Sequence, residues 1–131
     1  MTTHPVLAPD ADLERDIDWS ALPNGLTEIK LVAGAAAAVA LAARYGGGSL
    51  YVPRKTKPEH PLTKLLGLEA ALAMATVFGG DRIEVPKQDA ILRQLRFRRL
   101  LRDREKGASV ASLAAQHGLS RRRVLQLLAE A

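Results

Sequence analysis

Three consecutive arginines, Arg121, Arg122 and Arg123, follow Ser120 in the stretch GLSRRRVLQLLAEA, and Gln126 lies one helical turn beyond Arg122. Guanidinium groups pair with phosphate oxygens or with the acceptor edge of guanine, and a glutamine amide matches adenine. Arginines in a first helical turn oppose the helix dipole by about 0.3–1 kcal/mol each at low salt, and a bound anion reverses that sign. The chemistry this segment can do is recognition of a polyanion. At 100° per residue Val124, Leu127 and Leu128 point inward, leaving Arg122, Arg123 and Gln126 outward and Arg121 at the margin.

Other stretches imitate sites without their full requirements. YGGGSLYVPRK, from Tyr45 to Lys55, has the glycines, hydroxyl and basic residues of a phosphate cradle. A phosphate loop, however, puts its glycines after a strand and before a helix, and here an Ala-rich helix precedes them and a strand follows. The alternating acids Asp10, Asp12, Glu14, Asp16 and Asp18 resemble a calcium loop, but its sixth and twelfth positions would be Arg15 and Ala21, where glycine and glutamate are required. With no cysteine and only His4, His60 and His117, neither a disulfide nor a metal site is expected, and no cofactor or catalytic residue is assigned. The apolar run Leu31 to Ala43 falls short of the ~18 residues of a membrane span, which makes a cytoplasmic protein without a membrane partner the expectation.

The basic segment must be held by its neighbours. ASVASLAAQHGLSRRRVLQLLAEA reads as a helix-turn-helix: Ser109 caps a helix to about Gln116, Gly118 makes the turn, and Ser120 caps the second helix. Ala114 permits close crossing, and Leu113, Leu119, Val124 and Leu127 supply the core. In the major groove Arg122 and Gln126 would face base edges, while Ser109, Ser120, Arg121 and Arg123 would position phosphates. His117 is left without a catalytic role. Upstream, AILRQLRFRRLLRDREKG forms a long basic helix closed by Gly107. Ile91, Leu92 and Leu95 lie on one side of it and Phe97, Leu100 and Leu101 nearly opposite, so it is expected to splint two domains.

Between Thr27 and Lys87 the chain repeats itself. TEIKLVAGAAAAVALAARYGGGSLYVPR aligns without gaps to HPLTKLLGLEAALAMATVFGGDRIEVPK at an offset of 33 residues, with Gly34/Gly67, Gly46/Gly79, Gly47/Gly80 and Pro53/Pro86 among the identities. Each copy reads as an Ala-rich helix, a Gly-Gly stop, a short strand and a terminating proline. One such copy cannot bury enough surface alone, so the two should pair. The expected fold is mainly α with short β-strands: an acidic flexible arm over residues 1–25, a duplicated helix-GlyGly-strand domain over 26–88 with repeats 27–54 and 60–87, and the helix-turn-helix domain over 89–131. Net charge is +5 overall, and it is distributed unevenly, with −4 over residues 1–30, +3 over 31–88 and +6 over 89–131. The positive charge lies where phosphates would be met.

GGDRIEVPK, followed by a long helix and SVASLAAQHGLSRRRV, resembles the Mor transcription activator family of Mu-like bacteriophages, whose members carry a GGxxxYxPK-like strand before a C-terminal helix-turn-helix. The resemblance covers about Leu22 to Ala131. It implies a transcription activator that binds double-stranded DNA as a homodimer, reads two half-sites and recruits RNA polymerase. It further implies that the Gly-Gly strand lies near the minor groove, which gives Gly79, Gly80 and Arg82 a DNA-binding role. Glu84 stands where the family usually has tyrosine, and Tyr51 keeps that tyrosine in the first copy. The duplication allows the two copies to mimic within one chain the pairing that two chains make in shorter relatives, with Ser49 to Val52 beside Arg82 to Val85; a second chain would then be needed only for a second reading head.

Two other classes compete. A recombinase would need a catalytic domain for which two small repeats leave no room. A non-catalytic basic interaction module, an adaptor binding nucleic acid or an acidic protein without sequence specificity, remains the alternative, and selectivity in the presence of competitor DNA separates it from a regulator.

Overall fold

A computed structural model describes residues 10–130. The arm's first nine residues and Ala131 lie outside the described residues. The protein is mainly helical with one small antiparallel sheet, and it divides into two units, Met1–Ile91 and Leu92–Ala131.

In the first unit, α1 (Asp10–Asp16) is followed by a 3₁₀ turn (Trp19–Ala21), α2 (Asn24–Ala33), α3 (Ala35–Tyr45) and β1 (Gly48–Tyr51). Then come α4 (Pro61–Leu66), α5 (Leu68–Phe78) and β2 (Arg82–Val85). In the described part of the acidic segment, Leu13 and Ile17, one helical turn apart, are buried, as is Trp19. Its charges are also engaged, Glu14 with Lys30 at 2.8 Å and Asp12 with Arg15 at 2.6 Å.

Each Ala-rich helix expected from the sequence is two helices. Gly34 and Gly67, equivalent in the repeat, adopt φ of 99° and 88° and break the chain between α2 and α3 and between α4 and α5. Each glycine closes one helix and opens the next. Gly34 N–H donates to Lys30 O at 2.8 Å while its carbonyl accepts from Ala38 N–H at 3.1 Å, and Gly67 does the same with Thr63 and Ala71 at 2.8 and 3.0 Å. The core between these helices contains Leu26, Ile29, Leu41, Leu62 and Met74, each at most 2% exposed. Buried alanines at 35, 37, 38, 40 and 42 leave α3 a face of small side chains, which lets neighbouring backbones approach closely.

The strands pair antiparallel, with Gly48 opposite Val85, Ser49 opposite Glu84, Leu50 opposite Ile83 and Tyr51 opposite Arg82. Alternation places Leu50, Val52 and Val85 inside and Ser49, Tyr51, Arg82 and Glu84 outside. The Gly-Gly turns leading into the strands are tight. A Cβ at Gly79 would collide with Ala75 O and lie 3.2 Å from Arg54 Cα; at Gly46 it would collide with Ala42 O and lie 3.2 Å from Lys87 Cα. Gly79→Ala is therefore expected to lower stability by about 1–3 kcal/mol through overpacking. Gly48→Ala, whose added methyl would meet only Tyr45 O at 3.5 Å, serves as its control in thermal denaturation.

The helix α6 (Asp89–Glu105) contains the boundary between the units. Ile91, the last residue of the first unit, is buried, and Leu100 is buried in the second. Leu92, expected beside Ile91, is 51% exposed instead. The second unit continues with α7 (Val110–His117) and α8 (Arg121–Ala129). Leu100, Leu113, Ala114 and Val124 form its buried centre, with Val110, Leu119, Leu127 and Leu128 packed around them.

Candidate nucleic-acid interface

The basic segment is displayed by α8, and local chemistry fixes both of its ends. Ser109 Oγ accepts from Ser112 N–H at 3.1 Å to start α7, and Ser120 Oγ accepts from Arg123 N–H at 3.0 Å to start α8. Between the helices Gly118 occupies the left-handed region at φ 65°, ψ 33°, where a side chain is disfavoured. Leu119 N–H then donates to Ala114 O at 2.9 Å, which tightens the turn. The capping bonds use the serine oxygens as acceptors and leave each hydroxyl hydrogen as a donor for a phosphate.

Burial of Val124 sets the rotation of α8. Arg121, Arg122, Arg123 and Gln126 are all exposed, and the helix has no acid in its first turn. Three guanidinium groups thus surround a helix N-terminus whose first N–H groups have no intrahelical acceptor. Arg123 Nη1 donates to Gln126 Oε1 at 3.5 Å, which holds the amide beside the arginines. Leu125 is 56% exposed and lies at a neighbouring azimuth to Arg122. It is absent from the polar candidates of the sequence.

His117 has a structural role in this arrangement. Its side chain is 7% exposed, and Nε2 lies 3.3 Å from Asp103 Oδ2, which ties the end of α7 to α6. Arg104 Nη1 donates to Ala108 O at 2.9 Å and braces the turn between the same two helices. These bonds hold α6 beneath the α7–α8 pair without using the outward residues.

In the first unit, the sequence-derived candidates fall into two groups. Arg82 is exposed on the outer ribbon face and donates from Nη1 to Ser49 Oγ at 3.3 Å. Gly79 and Gly80 instead face the first copy: Gly79 meets the Arg54 backbone, and the Arg54 side chain lies over Gly80, its Nε 2.5 Å from where a Cβ would stand. Arg54 escapes a reading of the sequence because nothing in the linear order puts it beside a glycine 26 positions later. Its counterpart Lys87 covers Gly47 in the same way, with Cγ at 3.3 Å.

The second unit thus presents a serine-capped helix whose first turn carries three exposed arginines and no acid. The family model of the Mor transcription activator family matches residues 59–131, more than half of the chain, and the protein belongs to that family. The match begins just before the second copy of the repeat and runs through α8. No curated protein and no solved structure matches the chain. Among the described residues no helix is long and apolar enough to cross a membrane.

Proposed function

We propose that the protein is a sequence-specific double-stranded DNA-binding transcription activator in which α7, the Gly118 turn and α8 form a helix-turn-helix. The observation that carries this reading is the outward set Arg121, Arg122, Arg123 and Gln126 on a serine-capped helix with no carboxylate in its first turn. The major groove, about 12 Å wide, admits such a helix. Arg122 then donates to guanine O6 and N7, and Gln126, released from Arg123, pairs with adenine N6 and N7. Arg121, Arg123 and the hydroxyls of Ser109 and Ser120 hold the flanking phosphates. In the first unit, the exposed Arg82 on the outer ribbon face is the DNA contact of this reading. Gly79 and Gly80 contribute by shaping the turn before its strand. Family membership supports the activating role, with RNA polymerase as the recruited partner.

Gel retardation in excess competitor DNA tests this reading against the adaptor alternative. A regulator retains a shifted complex with its site when random-sequence duplex is in about 1,000-fold excess, because specific binding typically exceeds nonspecific binding by 10³ or more. Loss of the complex at equal competitor would identify a polyanion binder instead.

A further inference from the structure

The two copies of the repeat are related by an approximate two-fold axis. Moving each strand residue by the 33-residue offset converts the pair Ser49–Glu84 into Tyr51–Arg82 and returns Leu50–Ile83 to itself. The axis therefore passes between Leu50 and Ile83. Bonds at the rim obey the same operation: Gly47 N–H donates to Val85 O at 2.8 Å, and Gly80 N–H donates to Val52 O at 2.8 Å. So does the space around the turns: a Cβ added at Gly46 would stand 3.2 Å from Lys87 Cα, and one added at Gly79 would stand 3.2 Å from Arg54 Cα. Reciprocal contact of this kind, in which residue i meets j as j meets i, is the signature of an isologous interface between identical subunits. Here both sides of the interface belong to one chain.

The two halves differ in their downstream connections. After Pro86 the chain enters α6 and the reader; after Pro53 it enters the connector RKTKPEHP and the second copy. The family model begins at residue 59 and so spans the second copy and the reader but not the first copy.

We infer that residues 27–54 serve as a built-in partner for residues 60–87, so that one chain forms a complete two-fold core with a single reading head and binds one asymmetric half-site of duplex DNA, one chain per site. This rests on the DNA-reading role proposed for α8, and it replaces the homodimer that the family resemblance implies. Pairing through the ribbon satisfies the inward residues Leu50, Val52 and Val85 within the chain, so a second copy is not needed to bury them. The recognised site should lack inverted symmetry, because that symmetry mirrors two readers related by a two-fold axis.

The chain has no cysteine, so the exposed cross-strand pair Ser49 and Glu84 can be changed to cysteine together. Oxidation of Ser49→Cys/Glu84→Cys should give an intramolecular disulfide on a species of about 14.1 kDa. Light scattering of the wild type should give that same mass free and one chain per duplex when bound to its selected site. A disulfide-linked dimer, or two chains on an inverted repeat, would overturn the inference. Absence of any preferred sequence would overturn the DNA-reading role and with it the single half-site, and the cross-link would show separately whether the in-chain pairing had failed too.

Discussion

Arg122→Ala with Gln126→Ala should strip away a large part of the sequence preference while leaving a salt-sensitive, mainly nonspecific complex. Both residues are exposed on α8 and neither supports its fold, since Val124 and the packing around Leu113 hold the helix in place. Each bidentate contact to a base edge discriminates by about 1–3 kcal/mol, so losing both removes about 2–6 kcal/mol of preference, a large part of the roughly 4–10 kcal/mol that typically separates specific from nonspecific sites. Arg121→Ala and Arg123→Ala should behave differently. In the phosphate-holding role proposed for these arginines, each replacement should weaken binding to all sequences alike and lower the slope of log affinity against log salt by about 1. Titrations at several salt concentrations on matched and scrambled duplexes distinguish the two patterns. Equal loss of preference in all these variants would contradict the division of roles along α8.

Leu113→Ala should unfold the second unit while sparing the rest of the chain. Leu113 is fully buried in a centre that, among the described residues, contains three other buried residues, Leu100, Ala114 and Val124. Truncating such a leucine costs about 2–5 kcal/mol, and a unit of this size has a margin of only a few kcal/mol. The expected result is loss of DNA retardation together with partial loss of helical circular dichroism, because α1 to α5 belong to the other unit. Leu125→Ala provides the contrast: at 56% exposure its removal should leave the melting transition unchanged within about 0.5 kcal/mol. A single cooperative transition that shifts as a whole in Leu113→Ala would show that the two units do not melt separately.

Features fixed by local chemistry could be read directly from the residues. Ser109, Gly118 and Ser120 form caps and turn from contacts within a few positions, so the ends of α7 and α8 follow from the residue types. The 33-residue repeat likewise pointed to a pairing of Ser49–Val52 with Arg82–Val85. The antiparallel register was not legible, because either direction satisfies alternation in a four-residue strand. The breaks at Gly34 and Gly67 were hidden for a related reason: a lone glycine in an Ala-rich run is tolerated in a helix, and only tertiary packing selects its positive φ. Docking of α1 through Leu13 and Ile17 was masked by the surrounding acids, whose alternation obscures the i, i+4 apolar pair. Arg54 over Gly80 depends wholly on the strand pairing and has no linear signature.

Selection from random duplex DNA with the wild-type chain, followed by sequencing, tests DNA reading by α8 most directly. The expected result is an enriched short motif containing the guanine and adenine steps matched by Arg122 and Gln126, lost when the selection is repeated with the Arg122→Ala/Gln126→Ala variant. No enrichment by the wild type, or the same motif recovered by the variant, would contradict it.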